Sequence, residues 1–274
     1  MDKILRHRVN AGRVAVEKQV AFFRKQYAQV PSEWKEDETR VTFADFAISE
    51  RVFTELRHSF PEDDYCSEES NPLDEVLSLG ARYAWVLDPI DGTNNYALGI
   101  PFCAISLALL KDGVPVYGFI YDYSADWIVE GGPGHGLWRN GKRFTPEKRP
   151  FERKDGVVGM HFPIPERYFE PLKPLLTSYR ARCMGSGALN LTYTALGLMD
   201  GCVDFKVKVW DIAAASALVG AVGGNIHYLD HEAFPLKQFH VRSPLLPYVG
   251  GSRAFCDWVE QNIGWDALAA ASDE

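Results

Sequence analysis

Apolar residues at Leu5, Val9, Val16, Val20 and Phe23 recur at mixed three- and four-residue steps, which predicts an amphipathic helix over residues 3–28. A second helix is predicted to open near Asp45, because Thr42-x-x-Asp45 has capping-box spacing and Ile48, Val52 and Leu56 continue an apolar face. Pro61 closes that segment. The pattern then changes to strands. "YAWVL" (83–87) is a short, wholly apolar run, and "FCAISLALL" and "VPVYGFIYD" flank Asp112-Gly113, a hairpin signal. "WIVEG" and the stretch after Asn140-Gly141 extend this antiparallel theme. From about residue 151, strand-like and helix-like segments alternate, which predicts a second sheet layered with helices. The boundary is expected in "PEKRPFERKD" (146–155). Residues 1–150 then hold the first helices and antiparallel sheet, and 151–274 the second layer.

Composition narrows the classes. A chain of 274 residues, 46% hydrophobic, is large enough for a substantial core. A net charge of −8 argues against a general nucleic-acid binder, which needs a basic face. The five cysteines are scattered and form no Cys-x-x-Cys pair, the pattern of reduced core thiols rather than a zinc site. "MDKILRHRVN" lacks the apolar stretch of a signal peptide, and the longest run of apolar and small residues, 212–224, is too short to span a bilayer. The expectation is a soluble cytoplasmic protein with no membrane partner.

Against this background one stretch asks for an explanation. "VLDPIDGTNNY" (86–96) sets two carboxylates three residues apart where a buried strand ends. Pro89 biases Asp88 away from helix and turns the chain, Gly92 permits close backbone approach, and Thr93 could open a helical turn whose free N–H groups suit phosphate. Hard oxygen ligands beside room for water and phosphate are what Mg²⁺ prefers. Asp, Pro, Gly and Asn also form solvated turns, so the motif alone leaves both readings open. Other acidic places add weight: Asp45 at a helix start, Glu68-Glu69 in "CSEES", and Asp211 just ahead of a helix of small residues.

The order Asp45, Glu68-Glu69, Asp88-Pro89-Ile90-Asp91-Gly92-Thr93, Trp210-Asp211 resembles the inositol monophosphatase family of Mg²⁺-dependent, lithium-sensitive phosphatases, from the first helix to "AVGGNIHYLD". The resemblance implies an α+β fold, a five-layer αβαβα sandwich with a mainly antiparallel first sheet and a mixed second sheet, and frequent homodimers. It implies one ion on Glu68, Asp88 and the Ile90 carbonyl, and a second on Asp88, Asp91 and Asp211. A third, mostly water-bound ion would sit near Glu68. It also implies that Thr93, supported by Asp45, orients the attacking water, that the Gly92 and Thr93 N–H groups bind phosphate, and that Lys35 stands near the site.

On the substrate side the resemblance implies that a turn at Gly185, Ser186 and Gly187 contacts a sugar or polyol. Asp204, seven residues before Asp211, stands where inositol-cleaving members carry a glutamate. Ser67 stands where the family usually has glycine, and Ala215 where its bacterial members often have glycine. The implied activity is hydrolysis of a small phosphorylated polyol or sugar, with inositol monophosphate first. Fructose 1,6-bisphosphate, 3′-phosphoadenosine 5′-phosphate, NADP and histidinol phosphate are the alternatives.

Three rival chemistries lack their residues. A haloacid-dehalogenase phosphatase needs D-x-D-G-T, and position 89 is proline. Gly185-Ser186-Gly187 and Gly132-Pro133-Gly134 do not complete G-x-G-x-x-G, and no G-x-S-x-G elbow exists. The remaining rival is a binding or regulatory protein on the same fold without turnover.

Overall fold

In the computed structural model the described residues are 1–34, 40–69, 75–147 and 155–272. Helix α1 (Lys3–Gln26) is capped by Asp2, whose carboxylate accepts from the Leu5 N–H at 2.7 Å, and it buries Leu5, Val9, Ala15, Val16 and Phe23 along one stripe. A two-stranded ribbon, β1 (Ser32–Trp34) with β2 (Arg40–Thr42), leads to α2 (Phe43–Ser59). This second helix opens with the capping box expected from Thr42 and Asp45.

The first sheet has seven strands: β3 (Asp64–Ser67), β5 (Tyr83–Asp91), β6 (Ala104–Lys111), β7 (Val114–Asp122), β8 (Trp127–Gly132), β9 (Gly136–Arg139) and β10 (Lys142–Phe144). Their spatial order is β10-β9-β8-β7-β6-β5-β3, antiparallel throughout except that edge strand β3 runs parallel to β5. Asp112 and Gly113 both take positive φ, 53° and 80°, as the tight β6–β7 hairpin requires. A short strand β4 (Leu77–Ser78) pairs with β15 (Gln238–Phe239), and α3 (Thr93–Leu98) follows β5.

The second sheet is mixed. Strands β12 (Arg180–Arg182), β11 (Val157–Met160) and β13 (Gly201–Asp204) lie parallel, and β16 (Tyr248–Gly251) and β14 (Asn225–Tyr228) complete it antiparallel. Helices α4 (Phe169–Ser178), α5 (Gly187–Ala195), α6 (Val209–Ala221), α7 (Arg253–Asn262) and α8 (Trp265–Ser272) fill the layers around it.

Three buried clusters define the stacking. One lies between α1/α2 and the first sheet, the second surrounds α5 and α6 between the two sheets, and the third lies between the second sheet and α4, α7 and α8. The fold is therefore an α+β five-layer αβαβα sandwich. Helix α6 approaches the first sheet closely where its residues are small, with Ala213, Ala214, Ala215 and Ala217 all buried. A Cβ at Gly118 of β7 would stand 2.1 Å from the Ala214 carbonyl oxygen, so only glycine admits this approach. The outer helix is fixed by buried ion pairs: Arg8 with Asp63 at 2.7 Å, and Arg13 with Glu130 at 2.6 Å.

The parallel edge strand β3, the β1–β2 ribbon and α8 go beyond the elements expected from hydrophobic pattern. Each is short or set by a distant partner. The boundary expected at 146–155 falls largely outside the described residues. Among the described residues no helix is long and apolar enough to cross a membrane.

Candidate metal centre

On a regular strand, residues three apart point to opposite faces. Strand β5 escapes this rule at Pro89, which has no N–H to give to the ladder. Asp88 pairs with Ser106 and Asp91 with Ala104, and the register shifts between them as a bulge. The burial pattern records the flip. Trp85 and Leu87 face α1/α2, Ala84 and Val86 face α5/α6, and after Asp88 it is Ile90 that faces α1/α2. Asp88 and Asp91 can then share one side. The Asp88 carboxylate also accepts the Ile90 N–H at 3.0 Å, which stabilises the turn.

Asp211 arrives from the other sheet's side. It stands in the first turn of α6, where its Oδ2 accepts the Lys208 N–H at 2.6 Å. Asp88, Asp91 and Asp211 each offer a carboxylate oxygen within 4.8 Å of the others, and among the described residues this is the cluster with that geometry. Glu68, just beyond β3, acts on it electrostatically and leads the charges that act on Asp88.

The electrostatics are those of crowded anions. Asp88 is pushed well above the usual carboxylate range by burial first, then by Glu68, Asp91 and Asp211. Asp211 rises as well, through desolvation, Asp91 and Glu68, with the Lys208 N–H opposing. Burial lifts Asp91 to about 6, held there against donors at the start of α5. Those donors are the Ser186 hydroxyl and the N–H groups of Ala188 at 3.0 Å and Gly187 at 3.2 Å. The leading charges on Asp88 are all negative. Such a cluster of hard oxygen donors suits a divalent cation, which supplies the positive charge that these neighbours do not.

Beside it, the Thr93 hydroxyl lies 2.8 Å from the Ile90 carbonyl oxygen and 3.3 Å from Asp45 Oδ1. The other Asp45 oxygen accepts from the Thr42 N–H at 2.7 Å and hydroxyl at 2.6 Å. Gly92, at φ 82°, caps α3 and abuts the Phe102 and Gly185 carbonyls. Asn95 ties the same two segments together, donating to the carbonyls of Phe102 and Met184 at 2.8 and 2.7 Å. The Gly185–Gly187 turn expected to meet substrate thus stands against Gly92, and its Ser186 hydroxyl is given to Asp91.

Asp204 ends β13 and is fully buried. Its Oδ1 accepts the Lys206 N–H at 3.0 Å, and its Oδ2 stands 3.6 Å from His161 Nδ1. His161, absent from the residues singled out in the sequence, is a neighbour of the site. Asp204 raises its pKa, and it and Asp91 each feel the other's charge. Lys35 lies outside the described residues. A separate cavity of about 1240 Å³, bordered by Arg143, Val157, Thr194, Asp200, Val222 and Arg253, opens elsewhere and contains none of the clustered carboxylates.

Comparison with known proteins bears on the family and the fold. The family model described as "Inositol monophosphatase family" matches residues 1–249. A fructose-1,6-bisphosphatase/inositol-1-monophosphatase of Aquifex aeolicus is 28% identical over 84% of this chain and 83% of its own length. A protein of Pasteurella multocida named Nus factor SuhB is 31% identical over 68% and 70%. Among solved structures, the extragenic suppressor protein suhB of Bartonella henselae superposes with a TM-score of 0.78 at 26% identity, covering 95% of this chain and 97% of that one. The chain belongs to the inositol monophosphatase family.

Proposed function

We propose that this protein is a Mg²⁺-dependent phosphomonoesterase that frees inorganic phosphate from a small phosphorylated polyol or sugar, inositol monophosphate first among them. The observation that carries this reading is the meeting of Asp88, Asp91 and Asp211, from two different sheets' surroundings, within the field of Glu68. Glu68, Asp88 and the Ile90 carbonyl would hold one ion. Asp88, Asp91 and Asp211 would hold a second, and a third, water-bound ion would sit near Glu68. When bound, Mg²⁺ supplies Lewis acidity, which makes water nucleophilic at neutral pH and neutralises charge on the departing ester oxygen.

The chain's own groups do the positioning. Thr93 has one hydroxyl proton, committed towards the Ile90 carbonyl or Asp45. Its remaining lone pairs accept a hydrogen bond from the attacking water, so the water's own lone pair is aimed at phosphorus. Asp45, itself anchored by Thr42, keeps Thr93 in that pose. The N–H groups of Gly92 and Thr93 donate to phosphate oxygens. The Gly185–Gly187 turn and Asp204 belong on the alcohol side.

Fructose 1,6-bisphosphate, 3′-phosphoadenosine 5′-phosphate, NADP and histidinol phosphate are the alternative substrates. Inhibition by millimolar Li⁺, a homodimeric state and a cytoplasmic location accompany the reading. The net charge of −8 disfavours direct contact with nucleic acid.

The test is phosphate release from a panel of these esters by the purified protein, with Mg²⁺ and with EDTA. Mg²⁺-dependent release that EDTA abolishes is the expected result. The second reading is a regulatory protein on the same fold, favoured by the relative named Nus factor SuhB. Tight Mg²⁺ binding with no release from any ester would select it.

A further inference from the structure

The parallel strands β12, β11 and β13 end on the same side of the second sheet, at the level where α5 and α6 begin. Met160 pairs with Val203, so His161 and Asp204 come next at the same height. Their faces agree too. Gly159 lies against the Asn190 side chain of α5, and Cys202 belongs to the core around α5 and α6. Two residues further along each strand, His161 and Asp204 face that same layer.

Asp204 itself has no exposed surface, whereas about a third of the His161 side chain is exposed, 32%. Asp204 Oδ2 and His161 Nδ1 are shut off from solvent, and among the described residues neither makes a hydrogen bond within 3.5 Å. They are each other's partners, 3.6 Å apart. The imidazole edge left open is therefore the one carrying Nε2. An aspartate behind an Nδ1–H fixes the ring and its tautomer, an arrangement that presents Nε2 forward.

We propose that His161, with Asp204 as its positioning residue, is the group that meets the alcohol portion of the substrate and selects esters of polyhydroxy alcohols. The proposal rests on the phosphatase reading and changes one part of it: Asp204 acts through His161 instead of touching hydroxyls itself. Lys206, whose N–H holds the other Asp204 oxygen and whose charge acts on His161, stands at the same rim.

The experiment compares two polyol esters, inositol 1-phosphate and glycerol 2-phosphate, with p-nitrophenyl phosphate, which has no alcohol hydroxyls to read. In His161→Ala the ratio of kcat/KM for the polyol esters to that for p-nitrophenyl phosphate falls about tenfold, mainly through KM, as loss of one substrate hydrogen bond requires. His161→Gln recovers part of the ratio. Asp204→Asn, which keeps the side chain's size, lowers the ratio in the wild-type background and changes it no further in His161→Ala. Thermal melts verify that each variant is folded.

An unchanged ratio in folded His161→Ala overturns the proposal. So does an Asp204→Asn effect that persists in full without His161. A wild-type protein that releases phosphate from none of these three esters but does so from another ester of the panel overturns this proposal alone; release from no ester at all overturns the phosphatase reading and this proposal with it. An active wild type with an unchanged ratio overturns this proposal alone.

Discussion

Two groups of buried carboxylates in this molecule have been treated in opposite ways. Asp63 and Glu130 are buried where α1 meets the first sheet, and each has an arginine from α1; Asp63 also accepts the Trp85 indole N–H at 3.0 Å. Asp88, Asp91 and Asp211 lie across the same sheet, and the strongest charges on Asp88 are other acids. Burying a carboxylate costs several kcal/mol unless something positive or hydrogen-bonding answers it. In the first group the answer is encoded in the chain, and the group fixes one element to another. In the second the donors at α5 and the Lys208 N–H answer only part of it; on the proposed reading the rest comes from solution, which makes the group a receptor. The difference teaches that burial alone does not mark a functional acid; the sign of its neighbours does.

Mutation and pH break this comparison at several points. The largest effect is expected for Asp91→Asn or Asp211→Asn, each lowering Mg²⁺-dependent kcat on the order of 10³-fold, because a charge is lost where charge develops in the transition state. Circular dichroism checks that the fold is retained: asparagine keeps one acceptor oxygen, for the Lys208 N–H at position 211 and for part of the Ser186, Gly187 and Ala188 donor set at position 91. Unchanged turnover in the purified variants would remove the receptor from the comparison.

The next effect is a pH dependence of the metal-free protein. Asp91 titrates at about 6 in the fold, against 3.8 for an ordinary side chain. A raised folded-state value means that its contribution to stability is fully present below about pH 4 and is lost as pH climbs through 6. Stability therefore falls between about pH 4 and 6, and saturating Mg²⁺ should cancel the slope. Urea melts in EDTA and in Mg²⁺ across this window test the sign.

On the structural side, Arg8→Ala leaves buried Asp63 with the Trp85 indole as its remaining side-chain donor among the described residues and should cost about 3 kcal/mol in urea unfolding, with kcat per folded molecule unchanged. The smallest effect separates the groups further. Asp45 is buried but answered by Thr42 donors, so Asp45→Ala should cost only about 1 kcal/mol of stability through the lost capping box, while kcat falls because Thr93 is released.

Much of the receptor was legible because its signals are local. Asp88-Pro89-Ile90-Asp91-Gly92-Thr93 writes bulge, turn and helix start in six consecutive residues, and Thr42-x-x-Asp45 writes its own cap. The layered fold followed from runs of apolar residues long enough to show a period. What the sequence could not display was contact made through register. His161 sits beside Asp204 only because β11 and β13 pair in parallel with Met160 against Val203, and no spacing along the chain encodes that. Ser186 meets Asp91 for a related reason: α5 begins at the end of another strand of the same parallel set. The parallel edge strand β3 was hidden behind a run of acidic residues.

The tight seat of α6 on β7, where Ala214 rests against Gly118, has a consequence for synthesis. The sheet face that α6 covers is complete about 80 residues before the end of α6 is synthesised, a gap of roughly 4–16 s at ordinary translation speeds. For that time a broad apolar surface is presented to the cell without its cover. Asp211, in the first turn of α6, is the last of the clustered carboxylates to be synthesised, so the cluster is completed as that surface gains its cover.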